Sequence, residues 1–231
     1  MKKIRSGATG LVAAVVGVAA AVALICAGCN DGGIADEDGT AGRFIYRFYV
    51  VELGGNKWMK KNLDVETADS WCYNDNPYLC EMYGRLYTWE AAKSACQRIG
   101  WRLPTKSEWE ALIDAAGNYQ VAGKKLKAKS GWYSWYDLDD LNGTDDFGFS
   151  ALPGGVRSGC YDDDGGFGFC DARYVGSWWT ATEDKDDHDG YYENKDDHAY
   201  CVFMDPNGHS ANVSGGSTKG YGLSVRCVLD D

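Results

Sequence analysis

The stretch WRLPTKSEWEALIDAAG, residues 101–117, leaves the backbone less choice than any other part of this chain. Proline disfavours the helical region for the residue before it, so Leu103 is extended and the chain turns after Pro104. Thr105 then stands where a helix N-cap belongs. Glu108, three residues on, completes a capping box: the threonine oxygen accepts from the Glu108 amide, and the carboxylate accepts from the Thr105 amide. Trp109, Leu112, Ile113 and Ala116 follow at helical spacing, and Gly117 is placed to end the helix. This reading accounts for Glu108 without a catalytic role. Just upstream, TWEAAKSACQRI at residues 88–99 predicts another helix, with Trp89, Ala92, Cys96 and Ile99 on one face, Thr88 as cap and Gly100 as stop.

The N-terminus sets the compartment. Lys2, Lys3 and Arg5 precede an apolar run at residues 11–25, and CAGC ends at Cys29. A positive start, an apolar stretch too short to span a bilayer and a small-residue cleavage site make an export signal over residues 1–28. The pattern resembles a bacterial lipoprotein signal, in which Cys29 becomes the lipidated first residue; Cys26 departs from it, since an aliphatic residue is usual there. Residues 29–42 have no apolar pattern and read as a flexible tether. The expected location is the cell envelope, at the outer membrane or cell surface, with the membrane as partner through the lipid.

Export also means oxidation. Seven cysteines follow Cys29, and without a CxxC pair the default is disulfides. Cys72 and Cys80 bracket YNDNPYL, Cys160 and Cys170 bracket YDDDGGFGF, and an odd count leaves one thiol over. Cys201, in the apolar strand pattern AYCVFM, is the expected buried free cysteine. The chain is acidic, with a net charge of −11 that becomes −14 without the basic leader, which argues against nucleic acid as a partner. The one basic cluster, Lys124, Lys125, Lys127 and Lys129, reads as a solvated turn.

Residues 43–53 alternate like a strand, and Gly54-Gly55-Asn56 turns them into KWMKKNL as a hairpin. Beyond residue 117 short aromatic segments are punctuated by glycine. The whole is an α+β domain over residues 43–231 with two helices, short antiparallel strands and a long irregular loop region.

The segments WMKKNL, CEMYGRLYTWEAAKSAC, GWRLPTKSEWEAL, GTDDFGFSALPGG, WWTATE and GLSVRCV, in this order, resemble the Fibrobacter succinogenes major paralogous domain, a family of exported bacterial proteins. That family is similar in turn to the formylglycine-generating sulfatase-modifying domains. The resemblance implies a C-type-lectin-like fold with paired N- and C-terminal strands, and it supplies no activity. Formylglycine-type oxidation needs two neighbouring cysteines upstream of the terminal Arg-Cys, where this chain has SANVSGGSTKGYGLSV and no cysteine. Cys227 therefore falls to a structural role, with a disulfide to Cys96 as its expected use.

Two acidic features invite a metal. KDDH at 185–188 recurs at 195–198, so Asp187, His188, Asp197 and His198 could gather around a divalent ion, while a solvated hairpin tip is the simpler account. YDLDDLNGTDD and YDDDGG could offer calcium loop oxygens, but the first puts Leu141 at the fifth EF-hand position. Asp205-Pro206-Asn207 is a look-alike of lectin sugar motifs that reads first as a turn. No cofactor is required by any of these. Rings are the stronger ligand candidates: Trp132, Tyr133, Trp135 and Tyr136 lie between glycine and acidic loops, where flat faces with polar tips suit carbohydrate or protein ligands. The expectation is a surface binding or adhesion module without enzymatic activity, the rivals being a formylglycine-type oxidase and an envelope scaffold.

Overall fold

The computed structural model describes residues 50–133, 141–160, 167–185, 197–205 and 207–229. The export signal, Cys29 and the tether lie outside them. Among the described residues no helix is long and apolar enough to cross a membrane.

The chain enters as a hairpin, β1 (Val50–Leu53) and β2 (Asn56–Met59), with Leu53 paired to Asn56 across Gly54-Gly55. Both glycines have positive φ, 60° and 80°. That is the geometry a two-residue turn needs to match strand twist, and the reason glycine occupies both places. The C-terminal strand β10 (Val228–Leu229) adds antiparallel to β2, giving the order β1-β2-β10. Between these ends lie two small ladders, β3 (Ser70–Trp71) with β4 (Leu86–Tyr87) and β5 (Val156–Ser158) with β6 (Gly168–Cys170). The largest sheet joins β7 (Gly176–Glu183), β8 (His198–Met204) and β9 (Asn212–Thr218) in sequence order, all antiparallel.

Four α-helices are described where the sequence predicts two. The two predicted ones are α2 (Trp89–Arg98) and α3 (Lys106–Ala115), both with threonine caps; α3 carries the complete capping box. The additional helices are α1 (Pro77–Tyr83) and α4 (Tyr119–Leu126). In α1, Asn76 accepts from the Tyr78 amide and Pro77 takes the first turn, where its missing N–H costs nothing. A loop closed by Cys72 and Cys80 thus winds into a helix instead of staying irregular.

In α4 the basic cluster is not a solvated turn. Lys124 and Lys125 form the helix's last turn and Lys127 is fully buried, its ammonium donating to the carbonyls of Asp205 and Gly208, each at 2.9 Å. Four lysines close together suggest solvent, and Lys129 is exposed, but the long apolar stem of Lys127 reaches through the protein to cap a distant turn. Burial pushes the Lys127 pKa down to about 8.

The core joins the two three-stranded sheets to α3 and α4. Trp58 of β2, Trp109 of α3 and Phe149 pack with ring centroids 4.7–5.9 Å apart, and Trp178 of β7 lies 6.1 Å from Trp109. Leu112 and Ile113 of α3, Leu126 of α4, Val202 of β8 and Val228 of β10 complete it. The corner at Pro104 is tied to β7: the Pro104 carbonyl accepts from the Ala181 amide at 2.7 Å, and Thr182 Oγ1 accepts from the Lys106 amide at 3.0 Å. The rigid entry to α3 therefore fixes this helix against the strand-rich half.

Candidate functional site

Of the expected ring cluster, two members are described, and they part company. Trp132 is buried, its indole donates to the Ala151 carbonyl at 2.9 Å, and the Lys127 ammonium lies 4.8 Å from its ring. It fills the core beneath the loops, because its amide and its indole N–H both find protein acceptors there. Tyr133 is exposed and stacks under the Arg173 guanidinium at 3.9 Å. Trp135 and Tyr136 lie outside the described residues.

Asp187 and His188 also lie outside them, while Asp197 and His198 are described. His198 is buried at the start of β8, and the Asp197 carbonyl accepts from the Lys219 amide. Among the described residues no three His, Cys, Asp or Glu come within reach of one metal ion. At the lectin look-alike, Asp205 Oδ1 accepts from the Gly208 amide at 2.6 Å, as a turn-forming aspartate does between β8 and β9.

The cysteines pair as expected: Cys72 with Cys80, Cys96 with Cys227, and Cys160 with Cys170. Cys201 is free and buried. Burial pushes its thiol pKa up against the pull of the Ser217 hydroxyl 3.1 Å away, so it is held as an unreactive thiol.

Two of the disulfides frame an open groove of about 630 Å³. One wall is β3 and the short 3-10 turn before α1, giving Trp71, Asn74 and Asp75; the other is the β5–β6 ribbon, giving Arg157, Phe167 and Phe169. Cys72–Cys80 staples the first wall and Cys160–Cys170 the second. The Arg157 guanidinium sits 4.1 Å from the Trp71 ring centroid, 5.6 Å from Phe167 and 5.9 Å from Phe169. Phe169 meets Tyr73 at 5.4 Å, and the exposed Phe167 stands edge-on to Tyr221 at 5.6 Å. Rings from both walls thus surround one arginine, with Tyr73 and Tyr221 packed behind the phenylalanines. The other face of β5, Val156 and Ser158, lines a separate depression of about 400 Å³ with Cys201 and Phe203.

The motif residues converge elsewhere, in the interior. Arg226 is fully buried, and its guanidinium donates to Asn62 Oδ1 and to the carbonyls of Met59, Phe149 and Ser150 at 2.7–2.9 Å. Asn62 Oδ1 also accepts from the Trp178 indole at 2.9 Å. WMKKNL, FGFSALPGG, WWTATE and GLSVRCV therefore meet at one node around Arg226, whose pKa burial pushes down to about 9. A buried cation satisfied on this many sides is a structural clamp. This convergence of the motifs agrees with the match of residues 51–229 to the Fibrobacter succinogenes major domain. The chain belongs to that family. Comparison with the curated proteins and with the solved structures returns no match. Within this member of the Fibrobacter succinogenes major domain family, the clamp is built from the quoted motifs, and the ring groove from the segments between them.

Proposed function

We propose that this protein is an exported, lipid-anchored envelope protein whose C-type-lectin-like domain binds a carbohydrate or protein ligand in the groove between β3 and the β5–β6 ribbon. The observation that carries the reading is the groove itself: Trp71, Phe167 and Phe169 gathered around Arg157 on two disulfide-stapled walls. Flat rings on a rigid frame offer stacking area with little entropy left to lose, which is what reversible ligand capture uses. The lectin-like assignment draws on the pairing of the N-terminal hairpin with the C-terminal strand and on loops that carry the groove. The rival thiol oxidase would need two adjacent free cysteines. Among the described residues every cysteine but Cys201 is in a disulfide, and Cys201 is held protonated by burial.

A glycan array probed with the detergent-solubilised chain tests the binding reading. Phe167→Ala, at an exposed ring, should leave folding unchanged and weaken a captured ligand by about 2- to 30-fold, the range of roughly 0.5–2 kcal/mol for a stacking contact. Equal capture by wild type and variant would remove the groove as the binding surface. The anchor rests on the CAGC site: Cys29→Ser should abolish incorporation of a labelled fatty acid and release the protein from membranes. Labelling that persists in this variant would mean that the site is misread.

A further inference from the structure

Among the described residues the Arg157 side chain is surrounded by rings and has no acceptor on its N–H groups. Arg85 donates to Ser70 and pairs with Glu66, Arg98 donates to the Glu66 carbonyl, and Arg102 grips Glu108 with two hydrogen bonds. Arg226 is enclosed by acceptors, and Arg173 lies over the Tyr133 ring at 3.9 Å. The Arg157 side chain makes no hydrogen bond or ion pair among the described residues; rings alone hold it. With its central carbon 4.1 Å from the Trp71 ring centroid and no acceptor among the described residues, the guanidinium has N–H groups left for another partner. The backbone beneath is fixed, since Arg157 and Gly222 exchange hydrogen bonds of 2.8 and 2.7 Å and Arg157 pairs with Phe169 across the ribbon.

We infer that the groove takes an acidic glycan, one whose sugars carry carboxylates, with the carboxylate on Arg157. The inference rests on the binding reading of this groove and names its ligand class. A planar guanidinium with free N–H groups matches a carboxylate bidentately, and contact with Trp71 removes the rotamer entropy such a contact usually costs. Phe167 and Phe169 supply apolar surface for the C–H face of a sugar ring. Asn74 and Asp75, on the opposite wall, are placed for sugar hydroxyls. Arg157 is the one cation among the described residues lining the groove, which suits one carboxylate per bound unit. A polyphosphate chain, with a charge on every unit, would need several cations in the groove.

The test is isothermal titration of the detergent-solubilised full chain with oligogalacturonate and with hyaluronan oligosaccharides, each against its carboxyl-reduced neutral counterpart. EDTA in the buffer removes calcium bridging between acidic groups. At least one acidic oligomer should bind, and its reduced form should bind about 10- to 100-fold more weakly, the range for losing a charge-assisted hydrogen bond. Arg157→Gln should erase that preference while circular dichroism and melting stay unchanged, and Arg157→Lys should restore part of it. The comparison of acidic and reduced oligomers on the wild type needs no variant to fold. Failure of both acidic oligomers to bind, equal binding of acidic and reduced forms, or a preference kept by Arg157→Gln would overturn the inference. A neutral glycan found on the array and lost in Phe167→Ala, without any acid preference, would overturn the acidic class and leave the binding reading standing. Absence of any ligand whose capture depends on Phe167 would overturn both.

Discussion

Glu108 receives two guanidinium N–H groups from Arg102, at 2.6 and 2.7 Å, and the Thr105 amide at 2.7 Å. Burial works to raise its pKa, but the Arg102 hydrogen bonds and the Thr105 amide and hydroxyl outweigh it, and the net shift is downward from 4.5. A carboxyl whose folded pKa lies below its unfolded value stabilises the fold fully above the unfolded pKa, and that contribution is lost as pH falls through the folded pKa. Glu108→Gln keeps the capping-box geometry, since glutamine can fill the third position, and removes only the charge. The wild type should therefore be more stable than Glu108→Gln at pH 7, by about 1–2 kcal/mol, and the gap should close as pH falls through the folded pKa, which lies below 4.5. Denaturant melts of both proteins from pH 7 to 3 measure this; a gap that stays constant with pH would refute the charge-based account. The capping box itself was legible in the sequence because every partner lies within four residues. Arg102 could not be assigned to Glu108 from spacing alone, as its fork reaches the carboxylate only once Pro104 has bent the chain.

At the scale of elements, what could be read from the sequence divides along the same line between local and long-range causes. The β1–β2 turn and helices α2 and α3 follow from residues next to one another, and they fold as those residues dictate. Helix α4 was missed because Gly123 sits at its centre, where glycine costs about 1 kcal/mol against alanine and reads as a break. The structure explains the glycine: a Cβ there would collide with the Ser210 carbonyl, and the Lys124 amide donates to the His209 carbonyl at 3.0 Å. Helix and loop approach backbone to backbone, so the local penalty is the condition of a distant contact. The groove was missed for a related reason. Trp71 is far in sequence from Arg157 and Phe167, and the three residues flank or lie within two disulfide-closed loops, each of which reads alone as a polar turn. Trp132 drew attention instead because its neighbours Tyr133, Trp135 and Tyr136 make a visible cluster, yet adjacency in sequence says nothing about which ring the core takes.

Across the whole molecule, the strand that closes the first sheet arrives last. Strand β10 pairs with β2, and the Arg102 and Val228 backbones exchange hydrogen bonds of 3.0 and 2.9 Å to hold it. The Cys96–Cys227 bond locks this closure, pinning the chain's end to α2 across a separation of 131 residues, whereas Cys72–Cys80 and Cys160–Cys170 close separations of 8 and 10. This long pairing was expected from the family resemblance, since no spacing rule selects it. If a disulfide acts by restricting the unfolded chain, the long loop removes about 5 kcal/mol worth of unfolded-state entropy and the shortest about 2.5 kcal/mol. Cys96 and Cys227 are also fully buried, so replacing both by alanine leaves a void as well as a freed chain end. The Cys96→Ala, Cys227→Ala double variant should therefore lose about 2–5 kcal/mol in chemical denaturation. The Cys72→Ala, Cys80→Ala variant should lose roughly half as much and mainly loosen one wall of the groove. A loss from the long pair no greater than that from the short pair would show that β2 and Arg226 already hold the C-terminal strand in place and that the bond adds nothing to its closure.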